Sequence, residues 1–403
     1  MKKLILLVIV LLLTGCIYAV GEENDGFMCR LDDASLLIAL DDGIWKVGED
    51  GNNMQKISSD RAAMLQLYDG KVYYLANQYD MDDFGDMHVV SQVPVSMNPD
   101  GSEYQVIQDA RHVGYVYDFI SESYDTLLID AYVGYKDFTV YNGEIFFLSN
   151  TNQGGEYVCT ADWDMEGDET YSATGYYESG IALFKMDING ENLQPLTGVI
   201  GNSIASMAVK DDRIYLAGGY ADTVYAYNFV NYSILSLNGE VLSSFENAYI
   251  EPDFPYKNDL GEFYHITQAV IPDGECILVS LSDSEGDFVA SHLIRLYPDG
   301  KEELLAIEQN YVQSVLKDST LYFMGSASDT VFYDDTINYD DSYGIYRKDL
   351  FESGSGVRIM PLDYDAYSYG CRIAAIGEYV YCLNSAYELY RVNVKTGEFS
   401  RFL

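Results

Sequence analysis

The chain has 403 residues, of which 48% are hydrophobic and 38 are tyrosine, and its 64 acidic and 23 basic residues give a formal net charge of −41. This composition can bury a large core and favours strand over helix, because aromatic and β-branched side chains fit a pleated surface. The negative charge repels phosphate groups, which excludes a nucleic-acid-binding protein.

The N-terminal residues are organised as a secretion signal. A basic start, Lys2 and Lys3, precedes the apolar run 4–12, and Leu13-Thr14-Gly15-Cys16 is a small-residue cleavage pattern that ends in cysteine. An ordinary secretory signal and a short transmembrane helix are the alternatives, although a bilayer span needs about 20 apolar residues. The pattern resembles a bacterial lipoprotein signal peptide, which implies cleavage before Cys16 and lipid attachment to its sulfur.

We therefore expect a lipoprotein signal peptide over residues 1–15, followed over residues 16–26 by the lipidated cysteine and a polar tether. The lipid would hold the protein at a cell membrane, on its extracytoplasmic face.

A four-part pattern of β-rich segments recurs seven times after the tether. Its second part includes the runs 72–75 and 145–148, its third part includes 183–186 and 345–348, and turns rich in Asn, Asp and Gly separate them. Such repetition is typical of a β-propeller, in which four-stranded units stack around an axis because none can bury both faces alone. The sequence therefore predicts one all-β domain over residues 27–403, a seven-bladed β-propeller of four-stranded antiparallel blades.

Two details of the ring can be predicted from the same pattern. The first blade begins at Phe27 and the seventh ends at Phe402, so we expect the ring to close without a strand shared between the termini. The insertion 108–136 is the most ambiguous stretch, since the segments 116–120 and 126–133 have the composition of extra strands. No long helix is expected.

The repeat resembles the YWTD and TolB-like propellers, and more closely the bacterial lipoproteins that carry a β-propeller domain of unknown function. The resemblance rests on segments such as Tyr73-Tyr74-Leu75, Ile345-Tyr346-Arg347 and Leu293-Ile294-Arg295-Leu296, and on the turns Pro99-Asp100-Gly101, Pro298-Asp299-Gly300 and Asn189-Gly190. It implies a binding module rather than any particular chemistry.

The lengths of the connections predict a binding face. Because neighbouring strands are antiparallel, the connections 1–2 and 3–4 of each blade emerge on one face, and the connections 2–3 and the links between blades emerge on the other. Every long insertion falls in the second class, and we expect those between strands 2 and 3, at 77–91, 150–180, 218–232 and 326–343, to be loops. Three of these insertions, 77–91, 150–180 and 326–343, hold sixteen acidic residues and no Lys or Arg.

Acidic and aromatic side chains together could bind a cationic peptide or amine, or stack on sugar rings. We expect a protein, peptide or glycan ligand, bound by a monomer through this face. A solvated surface that only prevents aggregation is the alternative. The candidate binding residues are Tyr79, Asp82, Asp83, Trp163, Tyr176, Tyr177, Asp334, Asp335, Tyr339, Asp340, Asp341 and Tyr343.

The segment 162–169 resembles the first half of an EF-hand calcium loop. Alternating carboxylates precede a glycine, but Ala173 stands where the loop needs a bidentate glutamate. A plain acidic loop is the alternative to calcium binding, and no cofactor other than calcium is indicated. The candidate calcium ligands are Asp162, Asp164, Glu166 and Asp168.

An enzyme is the second class of function that the sequence leaves open. The four histidines show no metal-binding spacing, and there is no nucleophile elbow or phosphate-binding loop, so no catalytic residue is assigned. The alternative function is a glycoside hydrolase-like enzyme with paired carboxylates near the propeller axis. Two of the cysteines, Cys371 and Cys382, lie on consecutive predicted strands, either as a disulfide or as two small buried side chains.

Overall fold

The computed structural model describes residues 26–81, 87–107, 112–118, 123–129, 135–151, 155–161, 171–177, 180–202, 204–221, 228–245, 265–285, 288–299, 301–309, 314–317, 319–325, 344–350, 356–362, 372–384 and 386–403. These residues form thirty-two β-strands and no helix. Within the same ranges, no helix is long and apolar enough to cross a membrane.

Twenty-eight strands form seven four-stranded antiparallel blades, so the predicted fold is confirmed. Blade 1 contains β1 (Met28–Asp32), β2 (Ser35–Leu40), β3 (Gly43–Gly48) and β4 (Gln55–Ser58). Blade 2 contains β5 (Ala62–Tyr68), β6 (Lys71–Met81), β7 (Met87–Met97) and β8 (Gln105–Val106). Blade 3 contains β11 (Tyr135–Tyr141), β12 (Glu144–Thr151), β15 (Gly180–Asp187) and β16 (Gln194–Gly201).

The remaining blades follow in chain order. Blade 4 contains β17 (Ile204–Lys210), β18 (Arg213–Ala221), β19 (Asn228–Ser236) and β20 (Val241–Phe245). Blade 5 contains β21 (His265–Asp273), β22 (Cys276–Glu285), β23 (Phe288–Leu296) and β24 (Glu302–Gln309). Blade 6 contains β25 (Ser314–Lys317), β26 (Thr320–Gly325), β27 (Gly344–Asp349) and β28 (Val357–Pro361). Blade 7 contains β29 (Arg372–Ile376), β30 (Tyr379–Leu383), β31 (Leu389–Asn393) and β32 (Phe399–Arg401).

Four further strands decorate blade 3. The ambiguous insertion forms the hairpin of β9 (His112–Asp118) and β10 (Ser123–Ile129), which joins the blade where Ile129 pairs with Thr151. A second hairpin, β13 (Gly155–Ala161) and β14 (Tyr171–Tyr177), pairs only with itself. The insertion therefore adds strands to an existing blade and does not add a blade.

The insertions between strands 2 and 3 contain more strand and less loop than expected. Strands β6 and β7 continue their pairing to Met81 and Met87, and β18 and β19 continue theirs to Ala221 and Asn228. Continued pairing satisfies the backbone N–H and C=O groups that a loop would expose. Much of the insertions 77–91, 150–180 and 218–232 is therefore β-hairpin that extends the blades, and the expectation of loops there is wrong.

The core is divided among the seams between blades. The buried apolar side chains of the described residues fall into seven clusters, one for each pair of neighbouring blades. In β12, Ile145 and Phe147 pack toward blade 2, whereas Phe146 and Leu148 pack toward blade 4. Because both faces of the strand are buried, its sequence is a continuous apolar run rather than an alternation.

A buried glutamine also connects two blades. The Gln66 Nε2 group donates a hydrogen bond of 2.8 Å to the carbonyl oxygen of Phe138, and its Oε1 accepts one of 2.9 Å from the Val140 N–H. The side chain, 8% exposed, thus pairs with the inner strand of blade 3 as a neighbouring backbone would. Both of its polar ends are satisfied, which avoids the cost of an unpaired buried amide.

The ring closes between blades 7 and 1 without a shared strand, as predicted. Phe27, Leu36, Tyr381 and Phe402 belong to the apolar cluster of this seam. The Arg391 guanidinium lies 4.9 Å from the centre of the Phe402 ring and donates a hydrogen bond of 2.5 Å to the Glu49 carbonyl oxygen. Among the described residues, apolar side-chain packing and this hydrogen bond therefore join the two blades.

The turns between third and fourth strands approach the neighbouring blade closely. A Cβ atom added to Gly101 would lie 2.3 Å from the Ile57 carbonyl oxygen of blade 1. At the closing seam, one added to Gly51 would lie 2.7 Å from the Phe402 carbonyl oxygen. The same relation recurs at two more seams, between Gly190 and Ile107 and between Gly239 and Leu196.

We predict that Gly101→Ala destabilises the protein more than Gly70→Ala does. Both glycines have positive φ, +84° and +75°, but a Cβ at Gly70 would have no heavy atom within 4 Å. The strain of a left-handed conformation costs about 1–2 kcal/mol in each variant, and the clash at Gly101 adds roughly 1–3 kcal/mol. Urea denaturation measures both free energies of unfolding. Equal losses would show that close packing of this turn on blade 1 does not contribute to stability.

Candidate functional site

The two faces of the ring differ in their connections. We call the face that carries the 1–2 and 3–4 turns the turn face, and the opposite one, with the 2–3 connections and the links between blades, the elaborated face. On the turn face, Asp69, Gly70, Asn142, Gly143, Asp211 and Asp212 have positive φ in their two-residue hairpins. Such residues are what these turns require, so their Asn, Asp and Gly need no functional explanation.

Most of the predicted binding residues lie outside the described part of the chain. Of those inside it, Tyr79 lies in β6, in register with Val89, and Tyr176 and Tyr177 lie in β14, in register with Glu156 and Gly155. All three belong to hairpins on the elaborated face. Outside the described residues lie Cys16, Asp82, Asp83, Trp163, Asp334, Asp335, Tyr339, Asp340, Asp341 and Tyr343.

The predicted calcium ligands also lie outside the described residues. They are Asp162, Asp164, Glu166 and Asp168. Within the described ranges, no cluster of three His, Cys, Asp or Glu side chains could hold a metal ion. Cys371 lies outside them as well. The sulfur of Cys382 lies 3.4 Å from that of Met324 in the buried seam between blades 6 and 7.

A buried carboxyl group, which the sequence analysis did not identify, lies near the elaborated end of the seam between blades 3 and 4. Asp137, at the start of the inner strand β11, is 2% exposed. Its Oδ2 accepts a hydrogen bond of 2.8 Å from the Met207 N–H of the inner strand β17. Its Oδ1 has no hydrogen-bond partner among the described residues.

The environment of Asp137 favours its neutral form. Burial raises the pKa of this carboxyl to about 8, although the backbone N–H groups of Met207 and Phe138 act in the opposite direction. Asn150 lies on the same side of blade 3, because Asp137 is in register with Leu148, two residues before it. The Asn150 Oδ1 also lacks a partner in the described part of the chain. The seam therefore holds two buried polar groups that are only partly satisfied.

Asp137 is poorly placed for catalysis. A general acid must reach the substrate within hydrogen-bonding distance, directly or through one water. Asp137 is nearly inaccessible and is engaged by the backbone of the next blade. Its raised pKa follows from its position in the wall of the ring, and we assign it a structural role in joining blades 3 and 4.

A polar patch covers the elaborated face where blades 7, 1 and 2 meet. The Asp41 carboxylate lies 3.4 Å from the Arg61 guanidinium, and both side chains are about half exposed. Tyr387, in the 2–3 connection of blade 7, is 46% exposed. Partial burial, and then the charge and hydrogen bond of Asp41, raise the pKa of Tyr387, while Arg372 and Arg61 oppose this shift. The length of the connections does not indicate this patch, because these connections are short.

Most ion pairs of the described residues lie on the turn face, and three, Lys56 with Asp42, Arg61 with Asp41 and Arg401 with Glu388, lie on the elaborated face. Six bases pair with carboxylates on the turn face, and two of these bases, Lys185 and Arg295, have side chains less than a tenth exposed. Bases held in this way do not neutralise the acidic insertions on the opposite face. The six pairs are Arg30 with Glu49, Lys71 with Glu103, Lys185 with Glu144, Arg213 with Glu275, Arg295 with Asp273, and Lys395 with Glu378.

Neither protein families nor curated proteins provide a relative for this chain. No family profile matches it, and no curated protein matches it. The fold and the site must therefore be interpreted from the chain's own residues.

Solved structures provide similar chains at low identity. The N-terminal domain of Nup159 shares 10% identity over 94% of this chain and 90% of that one, with a TM-score of 0.46. YCF48 bound to D1 peptide shares 9% identity over 91% of each chain, with a TM-score of 0.44. The β-propeller domain of the trilobed protease from Pyrococcus furiosus shares 12% over 84% and 82%, with a TM-score of 0.41. None of these similarities carries a conclusion about function.

We predict that Asp137→Asn makes the stability of the protein less dependent on pH. Between pH 4 and 8 the folded state keeps the proton of Asp137 and the unfolded chain releases it, because an exposed Asp has a pKa of about 3.9. The free energy of unfolding of the wild type therefore falls as the pH rises, by about 1.4 kcal/mol per unit from this group. Asparagine still accepts from the Met207 N–H but has no proton to lose.

Urea denaturation of both proteins at pH 5, 6, 7 and 8 measures this difference. Asp100→Asn is the control, because hydrogen bonds from Ser102 lower the pKa of Asp100, so its contribution is constant over this range. Parallel curves for the wild type and Asp137→Asn would contradict the raised pKa.

Proposed function

We propose that this protein is a lipid-anchored, extracytoplasmic β-propeller that binds a ligand through its elaborated face without performing chemistry on it. The observation that carries the proposal is the strand order, since it directs every connection with a long insertion to the same face. Propellers are rigid scaffolds, and binding residues are concentrated on connections that a rigid scaffold positions. A protein, peptide or glycan is the expected ligand.

Charge supports a cationic or polyhydroxylated ligand. The insertions 77–91, 150–180 and 326–343 contain sixteen acidic residues and no base, and the ion pairs of the turn face hold bases on the other side of the ring. A cationic peptide would gain from this field and from contact with aromatic faces. Attraction of this kind weakens with salt, whereas stacking on sugar rings depends on salt much less.

The hydrolase alternative gains no support from Asp137. Its pKa is raised as a glycosidase acid requires, but a hydrolase needs a second carboxylate about 5–9.5 Å away and access for a sugar between the two. Asp137 is buried between two inner strands, so it does not meet the second requirement. Binding without catalysis is therefore our proposal.

The lipid anchor is proposed on the sequence alone, from the pattern Leu13-Thr14-Gly15-Cys16 and its resemblance to lipoprotein signals. We predict that Cys16→Ala releases the protein from the membrane fraction, because it removes the sulfur that would carry the lipid. Fractionation followed by an alkaline wash measures the released share, and Cys29→Ala, a buried cysteine, is the control. Retention of Cys16→Ala in the washed membrane would exclude the lipid as the only anchor.

We predict that acidic residues of the elaborated face contribute to binding of a cationic partner. In a pull-down from envelope extracts, replacing Asp334, Asp335, Asp340 and Asp341 by Asn should weaken capture, and raising salt from 0.1 M to 1 M should do the same, because the Debye length falls from about 10 Å to about 3 Å. These four residues lie in an insertion outside the repeated blade pattern, so stability should be retained.

The control replaces Asp50 and Asp100, in turns of the turn face, by Asn, the residue that the equivalent turn of blade 3 has at position 189. A variant in which short Asn-Gly turns replace 150–180 and 326–343 tests the face as a whole. If this variant and the fourfold Asn variant both captured the partner as well as the wild type, the elaborated face would be ordinary solvated surface.

A further inference from the structure

One connection on the elaborated face repeats the backbone pattern of the turn face. In the 3–4 turn of blade 1, the Gly48 N–H donates to the Asn52 carbonyl at 2.7 Å, and the Gly51 N–H donates to the Gly48 carbonyl at 2.8 Å. The 2–3 connection of blade 7 has the same two bonds, both 3.0 Å, from Asn384 to Glu388 and from Tyr387 to Asn384. Tyr387 therefore occupies the position that Gly51 holds in blade 1.

Glycine occupies this position in four turns of the turn face, at Gly51, Gly101, Gly190 and Gly239, with φ between +84° and +85°. Tyr387 has φ of +59°. A non-glycine residue in this left-handed region is strained, because its Cβ approaches the following carbonyl oxygen. Strain of this kind persists where the surrounding structure enforces it, and it is concentrated at binding sites.

The turn itself does not need the tyrosine. The Asn384 Oδ1 accepts hydrogen bonds from the Ala386 and Glu388 N–H groups at 3.0 and 2.8 Å, so the asparagine holds the turn. Tyr387 is 46% exposed, so a large part of the residue is available to a ligand. The strained conformation places an aromatic ring on the elaborated face.

The neighbours of the ring determine which ligand it suits. Asp41 interacts with the Tyr387 hydroxyl, Arg61 lies 3.4 Å from Asp41, and Arg372 acts on the same hydroxyl through its charge. One carboxylate and two guanidinium groups give these side chains a net charge of +1, so the patch differs from the acidic insertions and offers no particular attraction to a cation. It does offer an aromatic face with acceptors and donors of hydrogen bonds beside it.

We infer that Tyr387, the Asp41–Arg61 pair and Arg372 form a subsite for one ring of a neutral saccharide. The apolar face of the sugar packs on the tyrosine ring, and its hydroxyl groups donate to the carboxylate and accept from the guanidinium groups. This inference rests on the proposed function, since it assigns the glycan among the proposed ligands to a particular part of the elaborated face. This subsite lies on the elaborated face at the seam between blades 7 and 1, where the ring closes.

The test is binding of the wild type and its variants to an array of neutral oligosaccharides, followed by calorimetry with a saccharide that binds. Tyr387→Gly restores the residue that the equivalent turns have, so its denaturation midpoint should equal or exceed that of the wild type. Its affinity should fall at least tenfold, because the stacking surface is lost. Tyr387→Asn, whose short side chain tolerates positive φ, should lose affinity to the same extent, and Tyr387→Phe should lose less.

The control is Phe399→Ala, which removes a 54% exposed ring from the outer strand of the same blade. It should bind as the wild type does. Equal loss in this variant would show non-specific contact and would overturn the subsite, as would unchanged affinity in Tyr387→Gly. A lower denaturation midpoint in both Tyr387→Gly and Tyr387→Asn would show that the ring serves stability, and would overturn the argument from strain.

A further outcome separates this inference from the proposed function. If the wild type bound no neutral oligosaccharide but still captured a partner through its acidic insertions, the subsite would be excluded while the binding face remained. If it bound neither, both proposals would fail.

Discussion

The burial of both faces of every blade is the constraint on which the rest of the structure depends. Each seam between blades holds its own apolar cluster, and a strand such as β12 contributes alternate side chains to the seams on either side. A polar side chain in such a seam is costly unless its hydrogen bonds are complete. Gln66 meets this condition with two backbone bonds to blade 3. Asp137 meets it in part, and its preference for the neutral form is the result.

The same constraint explains why the connections on one face vary in length and those on the other face do not. The 3–4 turns pack against the preceding blade so closely that Gly101 has no room for a Cβ beside the Ile57 carbonyl oxygen. An insertion at such a turn would separate two blades and open a seam. The strands that flank the 2–3 connections can instead extend outward as paired hairpins, as β6 and β7 do. Insertions are therefore tolerated where they leave the seams closed, and that is the elaborated face.

This distinction also determines what could be predicted from the sequence. Continuous apolar runs such as 145–148 and the Gly-containing turns identify blades, because seam packing and turn geometry act on every copy. The hairpins β9–β10 and β13–β14 occur once each and have no repeat to support them, so the sequence is ambiguous for the first and predicts a loop for the second. Asp137 is a single acidic residue in an inner strand, and nothing in the sequence separates it from the many exposed carboxylates. The role of Tyr387 could not be predicted, because a turn of this type favours Gly or Asn at its position.

The distribution of charge follows from the ring as well. Several of the few Lys and Arg side chains form ion pairs or hydrogen bonds where blades meet on the turn face. Examples are the ion pair of Arg213 with Glu275 and the hydrogen bond from Arg391 to the Glu49 carbonyl oxygen. Their positions are set by seam packing, so they cannot neutralise insertions on the opposite side. Four bases are exceptions, because Lys56 and Arg401 pair with carboxylates of the elaborated face, and Arg61 and Arg372 lie there beside Asp41 and Tyr387. The elaborated face is thus chemically divided, with base-free acidic insertions in blades 2, 3 and 6 and an aromatic patch beside two guanidinium groups at the closing seam. The two proposed binding regions therefore call for ligands of different chemistry.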